Sequence, residues 1–224
     1  GTLWNQTSSQ AIVGETVGGM LDVYPSTVMS WSTFKDLHPT GLALSTDTGY
    51  VRDYGRHPYA SYETSPGIYF PLNHVEARLE PKDLVYRLDA YPDSDQPIVF
   101  LGRFMPVQAV ANEVIEVDGG QMAIVAFYDE EHDIVRVYDR TRIGGEETVT
   151  FEKHGNVITD TETGSRWSVD GLAMAGELRG TQLGELSVTR HYAFAHFAMF
   201  PNSIISGEEL LPTDEAVPEG DTIE

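Results

Sequence analysis

Residues 1–39, GTLWNQTSSQAIVGETVGGMLDVYPSTVMSWSTFKDLHP, and residues 164–201, GSRWSVDGLAMAGELRGTQLGELSVTRHYAFAHFAMFP, read as two versions of one segment. With one gap after the tryptophan, Gly1, Trp4, Ala11, Gly14, Glu15, Gly18, Leu21, Thr27 and Pro39 meet Gly164, Trp167, Ala173, Gly176, Glu177, Gly180, Leu183, Thr189 and Pro201. An ordered recurrence at a spacing of roughly 160 residues predicts a tandem duplication, whose two halves share one shape. The first version starts in mid-unit, at what reads as a strand. The repeat arithmetic therefore expects roughly 110 to 120 residues of that unit upstream of Gly1, making the chain a fragment.

Outward from these segments, apolar residues alternate with polar ones over short runs punctuated by turns. Gln121–Tyr128 and Asp133–Arg140 predict a hairpin across the polar link Asp129–His132. TVTFEKHGNVITD predicts a second, turning at His154-Gly155-Asn156. Further strands are expected at Leu84–Leu88, Pro97–Leu101 and Asn112–Val117. Helices are expected at Ser30–Leu37, capped by Ser30, at Arg190–Phe200, and at Met105–Ala111 with Pro106 in its first turn. The fold class is mainly β with a few short helices, a β-rich α+β protein. Residues 1–47 are expected to end the first copy, 48–80 to form an ordered Tyr/Gly/Pro-rich connecting loop, 81–206 to make a complete second copy, and 207–224 an acidic solvated tail.

Composition narrows the partners. Asp and Glu number 35 against 14 Lys and Arg, a formal net charge of -21. The lysines are Lys35, Lys82 and Lys153 alone. Such a surface repels phosphates and anionic headgroups, which argues against nucleic acid and anionic membranes as partners. It suits concentrated salt, where screening shortens to about 3 Å at 1 M, and a halophilic source is expected. The chain has no cysteine, so neither a disulfide nor a thiolate metal site can form within it. No run of 18 apolar residues is present to span a bilayer. A signal peptide would fall upstream, so export stays open.

The run from the opening tryptophan through AIVG, the tryptophan-bearing helix and HP to DTGYVRDYGRHPY resembles the DUF3179 family of archaeal and bacterial proteins, as do VYDRTRIGGEETVTF and DTETGSRWSVDG. The resemblance spans residues 1–206, and the family is named for its lack of an assigned function. It implies a Cys-Pro-Leu-Cys-Gly-like motif in the first copy, with selenocysteine in some members, and hence thiol redox or metal-handling chemistry. By the repeat register that motif lies upstream of Gly1. The corresponding second-copy stretch, Phe127–Asp133, reads FYDEEHD and holds no sulfur.

Among local motifs, Tyr54-Gly55-Arg56-His57-Pro58-Tyr59 is the leading ligand-site candidate. Arg56 is a permanent donor to carboxylate or phosphate-like groups, and Tyr54, Tyr59 and Tyr62 can wall a pocket. The alternative is a loop pinned by tyrosine packing, with Arg56 paired to an acid such as Asp53. The family usually has Asn at the place of His57. His191, at a position often polar in the family, joins Tyr54, Arg56, His57 and Tyr59 as a candidate. On one helix, His191 and His196 would point about 140° apart and share no metal. Asp129–Asp133 reads as a solvated turn in preference to a metal site, whereas Asp160–Gly164 carries a fragment of a calcium-loop pattern that a hairpin turn explains equally well. Trp4 and Trp167 are expected as core or interface anchors, and Trp31 as core.

No catalytic or metal-binding residue is assigned, no cofactor is implied by the residues present, and no P-loop, dinucleotide fingerprint or nucleophile elbow occurs. Two functions remain open: a non-catalytic binding or structural module, with a small-molecule or protein partner unidentified, and part of a thiol/selenol redox or metal-handling protein whose reactive motif lies upstream.

Overall fold

A computed structural model describes residues 1–59, 61–89, 96–117, 120–141, 143 and 148–211. The N-terminal part holds strands β1 (Leu3–Asn5) and β2 (Gln10–Val13) and helix α1 (Trp31–Leu37). Strands β3 (Leu84–Leu88) and β4 (Ile98–Leu101) precede the short helix α2 (Met105–Gln108). Then come β5 (Val110–Val117), β6 (Gly120–Asp129), β7 (Ile134–Asp139), β8 (Phe151–His154) and β9 (Val157–Asp160). The chain continues through β10 (Arg166–Trp167), β11 (Ala173–Ala175), β12 (Gly184–Leu186), β13 (Val188–Tyr192), helix α3 (Ala193–Met199) and β14 (Ile204–Ser206). The protein is mainly β.

β6 explains the layering. Its residues Ala123–Tyr128 are all buried, and a period-two strand buried at every position has packing on both faces. Ile124, Ala126 and Tyr128 point into one core with Leu88, Ile98, Phe100 and Val137. Val125 and Phe127 point into another with Tyr138, Phe151, Ile158, Trp167 and Leu183. The central sheet β12-β7-β6-β5 thus lies between sheet β13-β3-β4-β14 and sheet β11-β10-β9-β8. On the far side of the first of these, α3 packs Ala193 and Phe197 against Val85, Val99, Leu101 and Ile205. Each fully buried large apolar side chain contributes about 1.5–3 kcal/mol. β14 closes the outer sheet by pairing in parallel with β4.

The hairpin β1–β2 and the hairpin β10–β11 share their local geometry bond for bond. Trp4 pairs with Ala11 and Trp167 with Ala173, each just after a register shift. The amide of Ala11 donates to Gly19 O and that of Ala173 to Thr181 O, both at 2.9 Å. Gly18 N to Ala11 O and Gly180 N to Ala173 O follow the same path. Gly14 and Gly176 take φ of 111° and 100°. A Cβ on Gly176 would meet Ser165 Cα at 2.6 Å, and one on Gly14 would meet Thr2 Cα at 2.8 Å, so both turns need glycine. The helices match as well: α1 and α3 are each seven residues long, with C-caps His38 at φ −127°, ψ 65° and Phe200 at φ −129°, ψ 69°.

The expected strands and both hairpins are present, and Ser30 Oγ accepts from Thr33 N at 3.1 Å as the predicted cap of α1. Three expectations need correction. α3 begins at Ala193, because Arg190–Tyr192 continue β13 beside β3. α2 stops at Gln108, where Ala109 turns to φ 58° and the chain enters β5. Trp31 is no core residue: it is 58% exposed and stacks on Phe34 alone at 5.4 Å, with Lys35 above it. The described residues of 48–80 carry turns and neither strand nor helix. Of the expected tail, the described part makes a single helical turn at Glu208–Leu210 and buries Leu211 against the α3 core; 212–224 lie outside the described residues.

Candidate functional site

Two places gather polar side chains for reasons the fold does not supply. The first is the tyrosine loop. Arg52, Asp53, Tyr54, Arg56 and Pro58 line an open hollow of about 610 Å³. Tyr54 hydroxyl bonds Thr48 Oγ1 at 2.8 Å, and Asp53 Oδ1 accepts from Gly55 N at 3.1 Å. That carboxylate oxygen therefore organises the turn. Tyr54 and Arg56 share the hollow; His57 faces Glu63 at 4.0 Å, and Tyr59 O accepts from Tyr62 N at 2.8 Å. All four candidate residues are exposed. The loop is tied to the body through Tyr62, whose ring sits 3.8 Å from Lys82 Nζ, 4.6 Å from Tyr69 and 6.4 Å from Tyr192. Lys82 also donates to Tyr62 O and Ser65 O.

The second is buried under α3. Residues at i, i+2 and i+4 of a strand share a face, so Val85, Arg87 and Asp89 all turn towards the helix. Arg87 Nε and Nη2 donate to Asp89 Oδ1 at 3.0 and 2.6 Å, with both side chains almost fully buried. Asp89 Oδ2 accepts from Thr189 Oγ1 at 2.6 Å and Ser187 Oγ at 3.2 Å, which satisfies the carboxylate. The guanidinium lies 4.9 Å from the Phe200 ring. Beside it the His191 and His196 rings approach to 5.9 Å at 23°. The sequence-based separation of these two imidazoles is thus corrected, since His191 sits on a strand and His196 on the helix that folds back over it.

The protonation of His196 follows from its partners. Ser203 Oγ donates to Phe200 O at 2.8 Å, so it accepts from His196 Nε2 at 2.7 Å, and His196 Nδ1 carries a lone pair. The Nδ1 atoms of His191 and His196 are both buried with no hydrogen-bond partner. Burial, with help from His191 and Arg87, pushes His196 down to about 3. Burial first and Arg87 second lower His191 as well. The cluster therefore presents two neutral imidazoles beside a paired Arg–Asp. The Ser203 hydroxyl beside them accepts from His196 Nε2–H and donates to the Phe200 carbonyl, so His196 does not act on it as a base and the arrangement reads as a polar core. Of the candidates named from sequence, Tyr54, Arg56, His57 and Tyr59 lie together on the loop, and His191 lies apart from them beneath α3.

Sequence reasoning missed Arg87 and Asp89, and set His196 aside as facing away from His191. The signal was present in LVYRLD, where the inward-pointing alternation that starts at Val85 runs through two charged residues. Charged side chains on a buried strand face need partners, and their spacing names each other.

A layered β protein with one helix over an outer sheet, a polar cluster beneath that helix and an open tyrosine loop is the class these features define. The family model described as "Protein of unknown function (DUF3179)" matches residues 1–203, and the chain belongs to that family. No curated protein and no solved structure matches the chain.

Proposed function

We propose that this chain is a non-catalytic binding or structural module, in which residues 81–206 are the complete second unit of a tandem duplication and residues 1–47 are the closing part of the first. One observation carries the reading: Trp4 and Trp167 occupy the same place in like hairpins, yet Trp4 is 40% exposed and Trp167 5%. The same inversion holds for Leu21 at 51% against Leu183 at 4%, and for Trp31 at 58% against Ala193 at 1%. Side chains built for a core thus face outwards in the first unit, which supports reading that unit as a contact surface. Residues 81–206 serve as the rigid platform, and residues 1–80 as the binding surface. The acid-rich balance, 35 against 14, supports operation in concentrated salt. Thiol or selenol chemistry rests on residues outside this sequence, and nothing described within it favours that alternative.

The test is a paired substitution, Leu42→Asp with Leu44→Asp, at positions 95% and 100% exposed. If they belong to a binding surface, unfolding stability stays within about 0.5 kcal/mol and binding of an apolar dye falls. A loss of several kcal/mol would make them part of this chain's own core and overturn the reading.

A further inference from the structure

The core between the central sheet and sheet β11-β10-β9-β8 stops short of one end, and a lysine stands where it stops. Lys153 on β8 lies opposite Ile158 on β9, and Ile158 opposite Trp167 on β10, so the three make one row across the sheet. Ile158 and Trp167 belong to the buried core, as does Phe151, two residues before Lys153 and on the same face of β8. The alternation of β8 therefore calls for an apolar residue at 153. Its neighbours Glu152 and His154 are exposed, whereas the Lys153 side chain is only 12% exposed.

That lysine lines a cavity of about 440 Å³ enclosed by the tips of hairpins β6–β7 and β8–β9 and by β10. The volume lies in the range of roughly 300–1,000 Å³ that small-molecule sites occupy. Ile158, Val169 and Trp167 give it an apolar floor, and Glu130, Glu131 and Asn156 a polar rim. Its walls are held by the fold. The Trp167 indole N–H donates to Asp160 Oδ2 at 2.8 Å, with the edge of Phe151 at 5.3 Å. Asp129 Oδ1 accepts from the amides of Glu131 and His132 at 3.1 and 3.3 Å, which sets the β6–β7 tip.

The polar groups, by contrast, are underused. An ammonium carries three donors. Lys82 directs its own at Tyr62 O, Ser65 O and Ser65 Oγ. Lys153 Nζ has one acceptor among the described contacts, Glu130 Oε1 at 3.3 Å. The Asn156 amide bonds no other residue among them. Charge then selects the occupant. A free anion would reach Lys153 only past Glu130 and Glu131, in a chain of net charge -21. A free cation would meet Lys153 in the wall and would gain Glu130 only by parting that pair. A neutral molecule with several hydroxyls meets neither obstacle, because each hydroxyl both donates and accepts.

We propose that this cavity binds a small neutral sugar of one or two rings. One hydroxyl accepts from Lys153 and donates to Glu130, another bonds the Asn156 amide, and the C–H face of the ring covers Ile158, Val169 and the indole. The site lies within residues 128–169 and shares no residue with the surface of residues 1–80, so each assignment can fail without the other.

The test titrates isotope-labelled residues 1–224 with glucose, galactose, mannose, maltose and lactose, and with leucine and inorganic phosphate for comparison. The signals followed are the amides of Lys153 and Asn156 and the Trp167 indole N–H. At least one sugar is expected to shift them saturably. Lys153→Met should weaken that sugar's binding by on the order of tenfold, as loss of a charged hydrogen bond requires. If that variant does not fold, Asn156→Ala, in an exposed turn, replaces it with a severalfold loss expected. No saturable shift with any of the sugars overturns the proposal. Binding of leucine or phosphate alone overturns it too, in favour of a zwitterion or an anion. So does sugar binding that the folded variant leaves unchanged.

Discussion

Residues 1–80 and residues 81–206 contain like local structures in unlike surroundings. Nineteen large apolar side chains among the described residues are exposed in the first region and seven in the second, although the first is the shorter. Among the described residues, Ala11 and Leu79 are the only apolar ones shielded before residue 81. Hairpin geometry therefore does not depend on the core beneath it: bulge, glycine turns and hydrogen bonds keep the same form whether the tryptophan is covered or bare. Local backbone chemistry sets the shape, and burial supplies the stability.

The contrast is breakable by experiment. Trp167→Ala should cost about 3–5 kcal/mol and Trp4→Ala under about 1, read from urea midpoints; equal costs would mean that the first hairpin is as well packed as the second. Next comes pH. His196 titrates lower in the folded protein than its ordinary 6.5, so the unfolded chain takes up the proton first. Its contribution is whole above about 6.5 and is lost as pH falls towards 3, at up to about 1.4 kcal/mol per pH unit. His196→Phe, which places there the Phe34 of the first helix, should flatten that slope; an unaltered slope would assign acid sensitivity to other groups. Salt follows: with a net charge of -21, Tm is expected to climb between about 0.1 M and 1 M salt as repulsion is screened. A flat response would remove the case for a saline habitat. The smallest effect belongs to the loop, where Arg56→Ala should move stability by less than about 0.5 kcal/mol.

The strands were legible because their apolar residues alternate, and the hairpins because Gly155 and the polar link at Asp129–His132 mark the turns. The start of α1 was legible through Ser30, whose hydroxyl caps the helix. α3 offered no such mark: Tyr192 precedes it without a side-chain cap, and the apolar spacing of Phe194, Phe197 and Ala198 extends smoothly back into the strand. That ambiguity hid the meeting of His191 with His196, since a helix and a strand-to-helix corner place the same two residues differently. Exposure of Trp31 was illegible for another reason. Helical spacing states which residues share a face and is silent on whether anything covers it. The loop candidates were found as a group and lie together, but their open setting follows from chain path.

The family match ends at residue 203, one residue short of β14. Ile205 and Leu211, past that boundary, are 3% and 7% exposed. An expression boundary chosen by family limits would strip the outer sheet of its parallel border strand and bare the row of β4 that Ile204–Ser206 cover. Here the family match and the folding unit have different ends, and it is the folding unit that should guide where the gene is cut.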